Sequence, residues 1–323
     1  MTTGTIMKMI IINLQSIIKL SLIMRALIFF IFYIYILLIC ARIFYVRGNK
    51  MKSKIKSKIK RIVIGILISV LVFCAGFICY DRITINNQYY IGEKELDIPI
   101  FVYHNIVSDE SEIAYDYMQT TKKTFEEQLT GLQTVGYHFI NYNDLIEYKK
   151  GNKKIYKKSC LITFDDGYEG VYKNAYPIAK KYNIPFAMFI INKNMGNQGV
   201  ITWEQAKEMK ESGLVTIASH SVDHPEFTRI STKDACDNVN KSYNEIEEKL
   251  GKENTKIFTY PYGLYTTEQE EKLKEQGYIQ NLTDNKINKS SNLNLYGLHR
   301  CYPLNDSIYK IMAKIIYRTI RYN

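Results

Sequence analysis

Cysteine is scarce in this chain, with six among 323 residues. Cys40, Cys74 and Cys79 fall in or beside apolar runs and read as apolar filler; Cys74 and Cys79 follow bulky Phe73 and Ile78, a poor match to lipoprotein processing. Cys160, Cys236 and Cys301 are odd in number and match no zinc-knuckle spacing, so no disulfide framework and no cysteine zinc site is expected. Histidine is also rare, at five, and no His-Glu-x-x-His occurs, which argues against a zinc peptidase. The single tryptophan, Trp203, reads as packing. No internal repeat is present. Acidic residues are nearly missing from one stretch: residues 1–89 hold thirteen Lys and Arg against Asp81 alone. The remainder holds thirty bases against thirty-one acids, so the net charge of +11 is a property of the N-terminal quarter. A basic cluster beside apolar runs signals membrane topology rather than phosphate recognition, and no nucleic-acid partner is expected.

Two apolar runs lie in that quarter. Ile62 to Tyr80 is nineteen residues without a charge, close to the ~20 that cross a bilayer as a helix. Ala26 to Ala41 is shorter and is bounded by Arg25 and Arg42, which can snorkel. Between them stand Arg47, Lys50, Lys52, Lys54, Lys56, Lys58, Lys60 and Arg61. The positive-inside rule keeps this segment cytoplasmic and carries the chain outward through the second run. From Met51 the chain also reads as a complete signal-anchor, leaving residues 1–50 as either a first transmembrane helix or an extension from a misplaced start. No small-x-small site ends the run, which argues against cleavage. The expected organisation is therefore residues 1–50, a signal-anchor at 51–81, a polar linker at 82–96 and an extracytoplasmic domain at 97–323, anchored in the cell membrane.

From Ile98 onward strands alternate with helices. Strand candidates are Pro99–Tyr103, Ser159–Phe164, Pro185–Ile191, Leu214–Ala218 and Lys256–Tyr260. Helical spacing covers Phe125–Val135, with Thr124 and Glu127 as a capping box, and then Tyr172–Tyr182, Trp203–Ser212, Lys233–Leu250 and Thr267–Gln276. Gly136, Gly213, Gly251 and Gly277 end four of these helices. Such alternation predicts βα units around a parallel sheet or barrel. The polar residues of note fall just after strand ends, where parallel α/β architectures build their sites. The C-terminal stretch Ile308–Tyr322 is helical and basic, with Lys310, Lys314, Arg318 and Arg321. Contact with anionic lipid or cell wall is one reading of it, and a solvated barrel helix is the plainer one. The twenty-seven tyrosines reflect compositional bias more than a sugar-stacking surface.

Two motifs carry chemistry. In Thr163-Phe-Asp-Asp-Gly167 the adjacent carboxylates of Asp165 and Asp166 diverge, because successive side chains alternate. One suits a cation and the other a substrate or water; a calcium loop or a helix cap would also use them. In Ser219-His-Ser-Val-Asp-His-Pro225 two histidines stand four apart after an apolar strand. Surface histidines are the bland reading. Asp166, His220 and His224 together make a two-histidine, one-carboxylate set that leaves coordination positions open.

These segments resemble a known family. Ile162-Thr-Phe-Asp-Asp-Gly-Tyr168, Ser219–His224 and Tyr260-Pro-Tyr-Gly263 are similar to the first three motifs of the polysaccharide deacetylases, the NodB-homology or carbohydrate esterase family four. The likeness extends to Thr202-Trp-Glu-Gln205 and Phe125-Glu-Glu-Gln-Leu129, over roughly residues 97–304. It implies an α/β fold, a distorted (β/α) barrel with fewer than eight strands. It implies a divalent metal on Asp166, His220 and His224, zinc first, though cobalt, nickel, manganese and iron also suit such donors. Asp165 would be the general base, and Pro261 and Tyr262 would line the oxyanion position, with a backbone N–H near Tyr262 donating.

A general acid must protonate the leaving amine. His299, in Leu298-His299, sits where many members keep a Leu-x-His acid. His104, in Val102-Tyr-His-Asn-Ile106, resembles the poly-β-1,6-N-acetylglucosamine deacetylase branch, whose barrel is permuted so that the acid comes first. His104 is preferred, and that branch usually shows an arginine at the position of Arg300. His138 reads as a solvent-facing strand residue. Two departures stand out. Thr259 occupies the place of the arginine that often pairs with the base, leaving Asp165 without an evident partner. No clear tryptophan motif follows, and Leu282-Thr-Asp-Asn285 takes its place. The expected activity is removal of N-acetyl groups from an exported or cell-envelope polysaccharide, poly-N-acetylglucosamine first and peptidoglycan second. A catalytically silent glycan-binding or scaffold protein on the same fold is the alternative.

Overall fold

A computed structural model describes residues 96–114, 118–252 and 255–321, together with Arg61, Ile64, Gly65, Ile68 and Ser69. The chain divides into two units, residues 1–81 and 82–323. In the first, the five described residues are helical, and Ser69 Oγ donates to the Gly65 carbonyl at 3.0 Å. No helix among the described residues is long and apolar enough to cross a membrane. Most of the expected spans, the basic segment and the linker up to residue 95 lie outside the described residues.

The second unit contains, in chain order, strands β1 (Asp97–Ile98), β2 (Ile100–Tyr103), β3 (Asn105–Val107) and β4 (Gln119–Thr121), then helix α1 (Lys122–Thr134). Next come β5 (His138–Phe139), α2 (Tyr142–Lys149), β6 (Ser159–Phe164), α3 (Tyr176–Tyr182), β7 (Phe186–Ile190), α4 (Trp203–Glu211) and β8 (Val215–Ser219). The unit ends with α5 (Thr232–Leu250), β9 (Ile257–Thr259), α6 (Thr267–Glu275), β10 (Ile279–Leu282), β11 (Asn288–Lys289), β12 (Leu298–His299) and α7 (Ile308–Arg321).

All pairings in the main sheet are parallel, in the order β12-β10-β9-β8-β7-β6-β2. Its two ends then meet. Val102 N–H donates to the Cys301 carbonyl at 3.1 Å, and Cys301 N–H donates to the Ile100 carbonyl at 2.9 Å. A parallel bridge, Phe101 to Cys301, closes the ring. The result is a near-closed (β/α) barrel. The expectation of fewer than eight strands holds for the continuous path of seven; β5 adds an eighth, pairing only with the start of β6.

Side chains along β6 alternate between two cores, as a strand requires. Cys160 and Ile162 join an outer layer with Phe125, Leu129 and Leu132 of α1, Ile178 of α3 and Met209 of α4. Leu161 joins an inner cluster with Ile100, Ala187, Phe189, Ala218, Ile257, Ile279 and Leu298, one or two residues from each of seven strands around the ring. Tyr142, Leu145 and Ile146 of α2 pack into that inner cluster, with Tyr142 Oη donating to Asn281 Oδ1 at 2.6 Å. A third cluster holds α5 and α6 over β9 and β10.

The ends of α1 differ from the sequence expectation. The helix begins three residues earlier, and Thr121, not Thr124, is the N-cap; its hydroxyl accepts from Thr124 N–H at 3.1 Å. The expected helix 172–182 opens instead with a π-helical turn, Val171–Ala175, before α3. Trp203 is half-buried against the outer core, as expected of packing. His138 is half-buried and stacks on Tyr156 at 3.6 Å.

Candidate active site

Register places the site. Tyr103 pairs with Phe164, so His104 and Asp165 emerge side by side where β2 and β6 end. The Asp165 N–H donates to the Tyr103 carbonyl at 3.0 Å and fixes that step. Asp166 follows with φ 70° and Gly167 with φ 81°. This left-handed turn comes at once after the strand; glycine adopts it freely, whereas Asp166 holds it under mild strain. β8 supplies the histidines. His220 N–H donates to the Ile190 carbonyl at 2.9 Å. The loop then coils through Ser221 at φ 75° and His224 at φ 58°. Ser219 Oγ accepts from Ser221 N–H at 3.1 Å, and Ser221 Oγ from His224 N–H at 2.9 Å. Asn238 of α5 accepts from Val222 N–H at 2.8 Å. These bonds bring the two imidazoles to 4.7 Å between ring centres.

The three candidate ligands converge. Asp166 Oδ1 stands 3.4 Å from His220 Nε2 and 3.6 Å from His224 Nε2, and the two Nε2 atoms are 3.2 Å apart. His220 Nδ1 lies 2.9 Å from the Thr259 carbonyl, which only accepts, so Nδ1 carries the proton and Nε2 presents a lone pair. Asp166 Oδ1 is buried with no well-formed hydrogen bond among the described residues. A buried acceptor facing two imidazole nitrogens, one with its tautomer set from behind, is the donor arrangement a divalent transition metal fits. Burial opposes charge on His220, yet hydrogen bonding and attraction from the carboxylates outweigh it and raise its pKa. Burial, and then His220, push His224 down to about 4.

Asp165 has a partner that the sequence reading lacked. Arg300, fully buried beyond β12, donates from both terminal nitrogens to the two Asp165 oxygens at 2.7 Å each. It also reaches Thr163 Oγ1 at 3.3 Å and Thr283 Oγ1 at 2.7 Å, and its guanidinium lies over the Phe189 ring. Burial alone would push the Asp165 carboxyl up. The guanidinium wins and holds it down to about 2. The Asp165 carboxylate is therefore ionised, aimed and held in a bidentate pair.

These groups open into one cleft of about 550 Å³ at the carboxyl ends of the strands. His104, Asp165, Asp166, His220, His224 and Tyr262 all line it. His104 faces Tyr302 in parallel at 6.0 Å, and burial pulls its pKa below the usual imidazole value against the pull of Asp165. Tyr262, at φ 58° in the Pro261–Gly263 turn, sets its ring edge against His224 at 4.4 Å and is 65 % exposed. Pro261 is buried beneath that turn and does not line the cleft. Nor does His299, whose Nδ1 lies 2.8 Å from Asp284 Oδ2.

Comparison with known proteins places this arrangement. A family model described as polysaccharide deacetylase matches residues 152–280. YxkH of Bacillus subtilis (strain 168), whose name carries the same family, is 32 % identical over 208 residues, which cover 64 % of this chain and 72 % of YxkH. The chain belongs to the polysaccharide deacetylase family. As a polysaccharide deacetylase it is an enzyme, which sets aside the silent-scaffold alternative. It is also 30 % identical over 187 residues to the poly-beta-1,6-N-acetyl-D-glucosamine N-deacetylases of Staphylococcus aureus, covering 53 % of this chain and 64 % of theirs, just under two thirds of their length. Among solved structures, Streptococcus pyogenes deacetylase PplD in complex with acetate superposes with TM-score 0.62 at 26 % identity, covering 69 % of this chain and 99 % of that one. IcaB from Ammonifex degensii gives 0.59 at 26 %, covering 68 % and 97 %.

The deacetylase motifs thus meet in space as their order suggests, and two residues outside them join. Thr283, in the segment replacing the tryptophan motif, lines the cleft and holds Arg300. Arg300 fills the role that Thr259 leaves vacant. The resemblance marks an arginine at its position, but no spacing in the sequence ties it to Asp165.

Proposed function

We propose that this polysaccharide deacetylase hydrolyses N-acetyl groups from an N-acetylglucosamine polymer of the cell envelope or an exported polysaccharide, with poly-β-1,6-N-acetylglucosamine first and peptidoglycan second. The observation that carries the reading is the Arg300–Asp165 pair standing beside the Asp166, His220, His224 cluster, with His104 in the same cleft. Likeness to the named Staphylococcus aureus enzymes supports the order of substrates. The N-terminal apolar runs and basic segment support a cell-membrane anchor with the barrel outside.

Asp166, His220 and His224 would hold the divalent ion, zinc first. Such an ion supplies a Lewis acid for the amide carbonyl and acidifies water. Asp165 takes the proton from the attacking water; Arg300 keeps the carboxylate ionised and in place. The Tyr262 backbone N–H, turned by its left-handed φ, donates to the developing oxyanion. His104 gives its proton to the departing amine nitrogen as the carbon–nitrogen bond breaks, leaving acetate and a free glucosamine amine.

The test is acetate release from β-1,6- and β-1,4-linked N-acetylglucosamine oligomers, with and without a chelator. Chelator-sensitive release, with faster turnover of the β-1,6 series, is expected. His104→Ala is expected to lower kcat by roughly 10²–10⁴-fold and His299→Ala by only a few-fold. The reverse ranking would move the acid to His299, and release unaffected by the chelator and by Asp166→Asn would remove the metal from the reading.

A further inference from the structure

Helix α7 carries three faces where a barrel helix needs two. Ile311 and Ile315 are buried in the outer core. Tyr309, Ala313, Ile316, Tyr317 and Ile320, at i, i+4, i+7, i+8 and i+11, form a second stripe that is exposed. Tyr309 is 84 % exposed and Ile320 72 %. Of the six exposed large hydrophobic residues described in the barrel unit, four lie on this stripe, so it is a patch and not the usual scatter. Lys310, Lys314, Arg318 and Arg321 form the third face, and the helix has no acidic residue. The helix thus packs on the barrel along one face and leaves an apolar stripe and a basic face exposed.

The patch also has a place. Ile316 and Ile320 border an open groove of about 360 Å³ that they share with Leu96, Lys157 and Lys158, with Asp97 as its one acidic residue. Leu96 and the two lysines precede β1 and β6, at the amino ends of the strands. The catalytic cleft lies at the carboxyl ends, the opposite pole of the barrel. Leu96 is also where the chain arrives from residues 81–95, fifteen residues that span at most roughly 50 Å beyond the apolar run.

We propose that the exposed face of α7 rests on the surface of an anionic lipid bilayer, turning the catalytic cleft away from it toward the glycan. The proposal rests on the membrane-anchored reading above. An interfacial helix sinks its apolar stripe among the headgroups and keeps cations at the phosphate level. Tyr309 and Tyr317 are the residue type that settles at that depth, and Lys157 and Lys158 extend the basic border across the groove. A second copy of this chain is a poor occupant, because a symmetric contact would set one basic face against the other, and the nearest acid, Asp306, is already paired with Lys310 and Lys314 of its own chain.

The test uses the full chain with Ile316→Trp, reconstituted in vesicles of phosphatidylcholine alone or mixed with phosphatidylglycerol, with acyl chains brominated to quench tryptophan. The parent chain, with Trp203 alone, gives the baseline. Vesicle flotation reports the anchor separately. The expected result is flotation in both lipids, with emission from the introduced indole quenched well beyond the baseline only where phosphatidylglycerol is present. Adding Lys310→Gln and Arg321→Gln should cut that quenching about threefold or more. Flotation without extra quenching overturns the proposal and leaves the anchor standing. Equal quenching in both lipids overturns the anionic recognition. Failure to float removes the anchor and the proposal with it, whereas the deacetylase reading stands or falls on acetate release.

Discussion

Arg300 and Asp165 are both taken fully out of water, at a desolvation cost that their two short hydrogen bonds offset. The cost returns when one partner goes. Arg300→Met keeps the volume and strands a carboxylate, so a loss of about 3–5 kcal/mol at neutral pH is expected in chemical denaturation. The sign with pH follows. In the parent, Asp165 is depressed to about 2, so its contribution is present above the ordinary value of 3.8 and is lost as pH falls through about 2. Without the guanidinium, burial raises the carboxyl instead, and the protonated form becomes the one that folding favours. The stability gap between the two proteins should therefore narrow as pH is lowered from 7 toward 4. A gap that stays constant would mean the arginine acts through packing. The two aspartates and two histidines of the site were legible because each pair sits within a few residues of a strand end. The pairing of Arg300 with Asp165 was not, although the resemblance marked an arginine there, because the two are 135 positions apart and only ring closure joins them.

The elements show where periodicity speaks and where it is silent. β7 and β8 are apolar runs and were readable as strands. β10 was not, because Gln280 and Asn281 are buried in it, and each is satisfied by a distant partner: Gln280 accepts from Tyr260 Oη, and Asn281 Nδ2 donates to the Phe258 carbonyl at 3.0 Å. α2 is eight residues long, too short for a clear repeat, although Asn141 and Asp144 form a full capping box at its start. The π-helical turn before α3 begins at a close approach of backbone to backbone. A Cβ on Gly170 would collide with Asn105 Oδ1 and stand 2.5 Å from the Ile106 carbonyl, so the turn presses on β3. Gly170→Ala should cost about 1–3 kcal/mol or more and displace His104 through its neighbour Asn105. Thermal unfolding checks the first effect. The second is checked by kcat per folded molecule, which should fall at a temperature where the variant is still folded.

At the scale of the molecule, the three candidate ligands follow two strands, so a metal held by them would tie β6 to β8. A ligand that binds only the folded chain stabilises it by mass action, by about 2.7 kcal/mol at a hundredfold excess over Kd. For a domain of this size that is roughly 5–10 °C in Tm. Zinc should produce such a shift in the parent and little in His220→Ala, and calorimetry with and without chelator reads it directly. An equal shift in both would place the metal elsewhere. The barrel itself was legible from the alternation of strands and helices, but its seam was not, since β12 has two residues and Cys301 carries the last bonds.

That seam has a consequence for the order of assembly. Phe101 and Cys301 are two hundred positions apart, so the first strand of the ring must wait for the last before it is enclosed. Contacts so remote in the chain form late and slowly. His104 stands on one side of the seam and Arg300 on the other. Asp165 therefore receives its counter-charge in the step that completes the barrel. A chain that stops short of its last strand would not be a weaker deacetylase; its would-be base would sit uncompensated in an open sheet, and hydrolytic power would arrive only with the finished fold.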